Sequence, residues 1–147
     1  MSVSQRVISA LNTLIEVCTD GEQGFRAAAE ALANPDLRRL FTMYAAERAQ
    51  FAAELASIVR QLGGEPETRG SVAGSLRRGW MNIASAVAGR NARAVIAEAE
   101  RREDAATRAY QQVLGENLAP DVRRIIDRQY ARVKEAHDRV RTMERAA

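Results

Sequence analysis

Four long stretches of this chain place their apolar residues alternately four and three positions apart, and that spacing restricts the fold more than any other feature. The first stretch carries Val7, Leu11, Leu14, Cys18, Gly21, Phe25, Ala28 and Leu32. The second carries Leu37, Phe41, Tyr44, Arg48, Phe51, Leu55, Ile58 and Leu62. The third carries Ala92, Ile96, Ala99, Glu103, Ala106, Tyr110 and Val113, and the fourth Val122, Ile126, Gln129, Val133, Ala136, Val140 and Met143. A four–three alternation is the buried stripe of a helix packed nearly parallel to its neighbours. A strand needs a period of two. The spacing predicts an all-α fold with helices over about 4–33, 35–62, 91–114 and 120–145.

The breaks between stretches carry helix-end chemistry. Asn34-Pro35 supplies an N-cap and a proline at the first helical position, where its missing N–H needs no partner. Gly63-Gly64 and Gly115 stop helices, and Pro120 starts one. Residues 63–90 read as a connector, turn-rich at Gly63-Gly64-Glu65-Pro66 and Arg69-Gly70-Ser71. Within it, Leu76, Trp80, Ile83 and Val87 predict a short fifth helix over about 75–88. Two short loops and one long connector predict two antiparallel helix pairs joined by a crossover, the connectivity of ferritin-like bundles. The alternative is a five-helix up-down arrangement with the Trp80 helix as an equal member.

With 147 residues the chain suits one domain, and aromatics at 5% leave a core of small and aliphatic side chains. Gly21 and Gly24 fall inside the first helical stretch. Because the register continues on both sides, they are expected to mark a close approach of another element and not a kink. The single cysteine excludes an intramolecular disulfide and fits a reducing compartment. A net charge of +3 does not demand nucleic acid as a partner. No stretch is apolar enough to span a membrane and the N-terminus lacks a signal core, so a cytoplasmic location is expected.

Polar residues on the apolar stripes are the unusual part. Glu98, Glu100, Glu103 and Asp104 crowd the middle of the third helix, and Glu103 takes a stripe position. Arg48 takes one on the second helix at a matching height. The two are expected to meet at mid-bundle, with Gly21 leaving room, as a buried ion pair that fixes register.

The chain also resembles a known family. The residues that carry the resemblance are Leu11, Leu14-Ile15-Glu16, Asp20-Gly21, Gly24-Phe25 and Ala28-Ala29-Glu30; Glu54-Leu55 and Leu62-Gly63-Gly64; Gly70-Ser71, Gly74 and Arg78-Gly79-Trp80; Glu98, Glu100-Arg101 and Glu103-Asp104; and Gln129 with His137-Asp138. They are similar to a bacterial ferritin-like four-helix-bundle family of unknown function, over nearly the whole chain. Two positions depart from its pattern: Arg77 stands where the family often has His, and Arg102 where it often has Gly. The resemblance implies the ferritin-like fold and no settled activity, since fold does not give function.

A di-iron centre of this architecture needs two Glu-x-x-His motifs. Lys134 stands three residues before His137, and Gln50 three after Glu47, so both motifs are missing. Glu22, Glu47, Glu100, Glu103 and His137 remain candidates for a simpler carboxylate site that would take iron or manganese. No nucleophile–base pair, phosphate loop or zinc-spaced cluster is present in the sequence. Cys18 reads as a packed small residue and Trp80 as an anchor for the connector. The leading reading is a non-enzymatic structural or interaction protein, with a link to stress that only the resemblance implies, and with Ile8, Ile15 and Val59 offering a surface for a homodimer or larger homo-oligomer. The rivals are a metal-binding bundle and a DNA-associated stress protein that uses the Arg-rich fourth helix.

Overall fold

The computed structural model describes residues 2–67 and 92–146, and these form four helices with no strand among them. They are α1 (Val3–Ala31), α2 (Pro35–Gln61), α3 (Ala92–Leu114) and α4 (Pro120–Ala146). The expected short helix at 75–88, with Trp80, lies outside the described residues. No helix among them is long and apolar enough to cross a membrane.

Helix ends follow local chemistry. Ser2 and Gln5 form a reciprocal capping box: the Gln5 N–H donates to Ser2 Oγ at 3.1 Å, and the Ser2 N–H donates to Gln5 Oε1 at 2.8 Å. Asn34 Oδ1 accepts from the N–H groups of Asp36 and Leu37, satisfying two donors that the first turn of α2 cannot pair internally. Just past the Leu62 cap of α2, Gly63 takes a φ of +84°, which suits a residue without Cβ. Gly64 then donates back to Val59 O at 2.9 Å and lets α1 come close, since a Cβ there would stand 2.8 Å from Ile8 Cγ2. At the opposite junction Arg123 of α4 donates to the carbonyls of Leu114 and Glu116, closing the C-terminus of α3 with a cation.

Cross-helix contacts give the helix directions. Cys18 meets Tyr110 and Asp20 meets Arg102, so α1 and α3 are antiparallel. Glu54 meets Arg128 and Glu47 meets Arg132, so α2 and α4 are antiparallel. Tyr110 meets Gln129 and Asp104 meets His137, so α3 and α4 are antiparallel as well. It follows that α2 and α3 run in the same direction, on opposite corners of the bundle.

The interior has two apolar parts. One is built on Val7, Leu11, Leu14, Leu55, Ile58, Tyr110, Val113 and Ile126. The other holds Phe25, Ala28, Phe41, Tyr44, Val95, Ile96, Ala136 and Val140. Three aromatics pack together in the second part, edge-on and tilted: Phe25 lies 5.4 Å from Phe41 and 5.2 Å from Tyr44, ring centre to ring centre. Two stripe residues fall outside: Leu62, just past the last residue of α2, and Ala92, the first residue of α3, are exposed at the ends of their helical patterns. The proposed dimer surface is corrected too. Ile15 and Val59 are buried within this chain's own core, and Ile8 packs against that core beneath Gly64. The α1–α2 approach consumes Ile15 and Val59, so neither is left to cover a second copy, and of the three only Ile8 stays partly exposed.

Candidate functional site

Polar side chains gather at the level where the two apolar parts meet. Their centre is Arg48 on α2 and Glu103 on α3, each 1% exposed. Arg48 Nη1 donates to Glu103 Oε2 at 2.8 Å and Nη2 donates to Oε1, so the pair is bidentate. The guanidinium is boxed in on other sides. Its carbon stands 5.3 Å from the centre of the Phe25 ring, and a Cβ at Gly21 would approach Nη1 to 3.0 Å. α1 runs unbroken through Gly21 and Gly24, so these glycines mark close approaches. Burial works against the charge on Arg48, but the charge and hydrogen bonds of Glu103 outweigh it and hold the guanidinium pKa above its ordinary value. Arg48 Nε alone has no hydrogen-bond partner among the described residues.

A second arginine lies one turn away at the α1–α3 seam. Arg102 Nη1 donates to Asp20 Oδ2 at 2.7 Å, and its stem covers Gly24, where a Cβ would meet Cδ at 3.2 Å. Its Nε lies 3.5 Å from Glu98 Oε1, within ion-pair reach but without hydrogen-bond geometry. Glu98 also pairs with Arg101 at 2.7 Å.

Below the ion pair a chain of hydrogen bonds leads outward. Tyr110 Oη donates to Gln129 Oε1 at 2.7 Å, and its oxygen faces Cys18 Sγ at 3.2 Å. Because the phenol proton is committed to Gln129, the thiol is the donor to Tyr110. Gln129 Nε2 donates to Glu54 Oε1 at 3.1 Å, and Glu54 pairs with Arg128. This explains why a glutamine holds a stripe position on α4. Burial pushes the Cys18 thiol up to about 11, against smaller opposing effects of Arg48 and Tyr110, and it also raises Tyr110 well above the usual phenol value.

The candidate metal residues separate. Glu103 is engaged by Arg48. Glu22 pairs with Arg26 at 3.1 Å. Glu47 Oε2 accepts from Arg132 Nε at 2.9 Å, while its Oε1 is buried without a partner among the described residues. Only Glu100 and His137 of the expected five come together, joined by Asp104; one ligand atom from each lies within 4.8 Å of the others. These three line the α3–α4 seam at its rim, away from the central pair. His137 is buried, with Nε2 2.5 Å from Asp104 Oδ1 and Nδ1 3.1 Å from Asp138 Oδ1. The bond to His137, and after it the one to Lys134, holds the Asp138 carboxyl below its ordinary value. The signal that would have found Asp104 is its i, i+4 spacing from Glu100, which puts both carboxylates on one helix face.

A family model described as a domain of unknown function (DUF2383) matches residues 6–116. That span includes Arg48, Arg102 and the acidic run of α3, and it ends before α4, so Gln129 and His137 lie beyond it. No curated protein matches the chain.

Proposed function

This chain belongs to the DUF2383 family, a domain of unknown function, and on that premise we propose that it is a ferritin-like bundle with a structural or interaction role and no catalytic centre at its core. The observation that carries the reading is the bidentate Arg48–Glu103 pair. In a metal-oxidase bundle, inward carboxylates from several helices converge on cations at this level. Here a guanidinium takes that place, uses both oxygens of Glu103 and repels any second cation. Glu22 and Glu47, which a central site would need, are turned to Arg26 and Arg132. The shared direction of α2 and α3 supports the ferritin-like connectivity, because the chain between them must return to the end where α2 began.

A DNA-associated role has less support. Arg128 and Arg132 of α4 bind Glu54 and Glu47, Arg123 binds carbonyls, and Arg141 faces Glu100. The link to stress rests on the sequence resemblance alone. Stopped-flow oxidation of ferrous iron tests the main reading. The protein is expected to leave the rate at that of buffer. An acceleration that disappears in Glu103→Gln would overturn it.

A further inference from the structure

We propose that Glu100, Asp104 and His137 form a binding site for a single divalent transition-metal ion on the α3–α4 rim. Glu100 and Asp104 lie one turn apart on α3, and His137 reaches them from α4. The site is separate from the central pair, because Glu103 faces Arg48 and contributes nothing to the rim.

The surroundings of His137 suit a bound cation. Both of its ring nitrogens face carboxylate oxygens, at 2.5 Å and 3.1 Å. An ionised carboxylate only accepts, and a neutral imidazole carries one N–H. A neutral ring therefore sets one nitrogen lone pair against an oxygen lone pair in a largely buried position. Either a second ring proton or a metal ion relieves that contact. The surroundings favour the metal: Asp138 sits where a carboxylate accepts the Nδ1–H of a ligating histidine, which fixes the tautomer and aims Nε2 at the ion. Two further carboxylates then balance a double positive charge.

Loading needs small movements that the site permits. Ligand atoms around a tetrahedral ion stand about 3.3 Å apart, so Asp104 must withdraw from Nε2 by somewhat under an ångström. Its side chain is 47% exposed and free to turn. Arg141, whose Nε lies 3.6 Å from Glu100 Oε1, is half exposed and must swing aside. One imidazole with two carboxylates suits zinc, manganese or ferrous ions more than calcium or magnesium, which prefer all-oxygen shells.

Isothermal titration of chelator-treated full-length protein with zinc chloride, and separately with manganese chloride, tests the site. One equivalent of at least one of the two ions is expected to bind. His137→Gln and Glu100→Gln should each weaken binding by roughly tenfold or more, and Asp138→Asn by roughly tenfold with all three ligands still present. Glu47→Gln should bind as the unaltered protein does. Helix content by circular dichroism identifies any variant that fails to fold, and Glu100→Gln, which keeps the shape of the side chain, serves if His137→Gln does. Absence of stoichiometric binding of either ion in the folded protein overturns the proposal. So does binding that survives loss of Glu100 in a folded variant.

Discussion

Glu103 and Asp104 are consecutive residues of one helix, yet they occupy opposite environments. The Glu103 side chain is 2% exposed and bound at both oxygens by a guanidinium that is equally buried. The Asp104 side chain is 47% exposed and meets a histidine at the rim. One residue along an α-helix is about 100° around its axis, enough to move a carboxylate from the bundle centre to its edge. The difference teaches what a carboxylate near a cation can do. At the centre, desolvation makes any unpaired charge costly, so the pair is bound to stay closed and sets how α2 and α3 sit. At the rim, water reaches the half-exposed Asp104 carboxylate, so that group is available for exchange.

The largest effect should come from breaking the central pair on one side. Arg48→Leu leaves Glu103 buried without a counter-ion and is expected to lower unfolding stability by about 3–5 kcal/mol. The double change Arg48→Leu with Glu103→Leu should recover most of that loss. Denaturant titration of both decides the matter; equal destabilisation would mean that pairing is not what the centre requires.

Next comes the alkaline limit of the same interior. Cys18 rises from 9.0 in the unfolded chain to about 11 in the fold, mainly through burial. The folded state then keeps a proton that the unfolded state has lost. Its contribution is complete below pH 9.0 and fades as pH climbs toward about 11, with a total of about 2–3 kcal/mol. Denaturation midpoints measured across that window should fall for the native chain and fall less for Cys18→Ala. Tyr110, also raised by burial, adds its own loss above the usual phenol range in both proteins. An identical slope in the two would remove Cys18 from the account.

The smallest effect belongs to the rim. Asp104→Asn exchanges one screened partner of His137 for a neutral one and should cost at most about 1 kcal/mol. A loss as large as that of Arg48→Leu, seen in the same denaturant titration, would erase the contrast between centre and edge.

Much of the helical layout could be read from residue order. Ser2, Asn34-Pro35, Gly63 and Pro120 act locally, through backbone donors and φ angles, and local chemistry needs no knowledge of distant partners. The off-pattern residues Arg48 and Glu103 were visible for the same reason: a charge on an apolar stripe stands out against its neighbours. The rim was less legible. Asp104 is one step off the stripe, His137 stands beside it, and neither position says which helix lies opposite. Glu22 and Glu47 show the reverse failure. Counting residues from helix ends put them near the central level, whereas Glu22 pairs one turn along its own helix with Arg26, and Glu47 pairs with Arg132 of α4.

What the sequence by itself determined, then, is the set of helices, their ends, and the polar residues that each stripe must bury. The tertiary structure decided who meets whom: Cys18 with Tyr110 and Gln129, Arg102 over Gly24, and Glu100 with Asp104 and His137. The reason is geometric. A residue's angle around its own helix follows from 3.6 residues per turn, but the rotation and sliding of one helix against another are set by side chains far apart in sequence packing into each other.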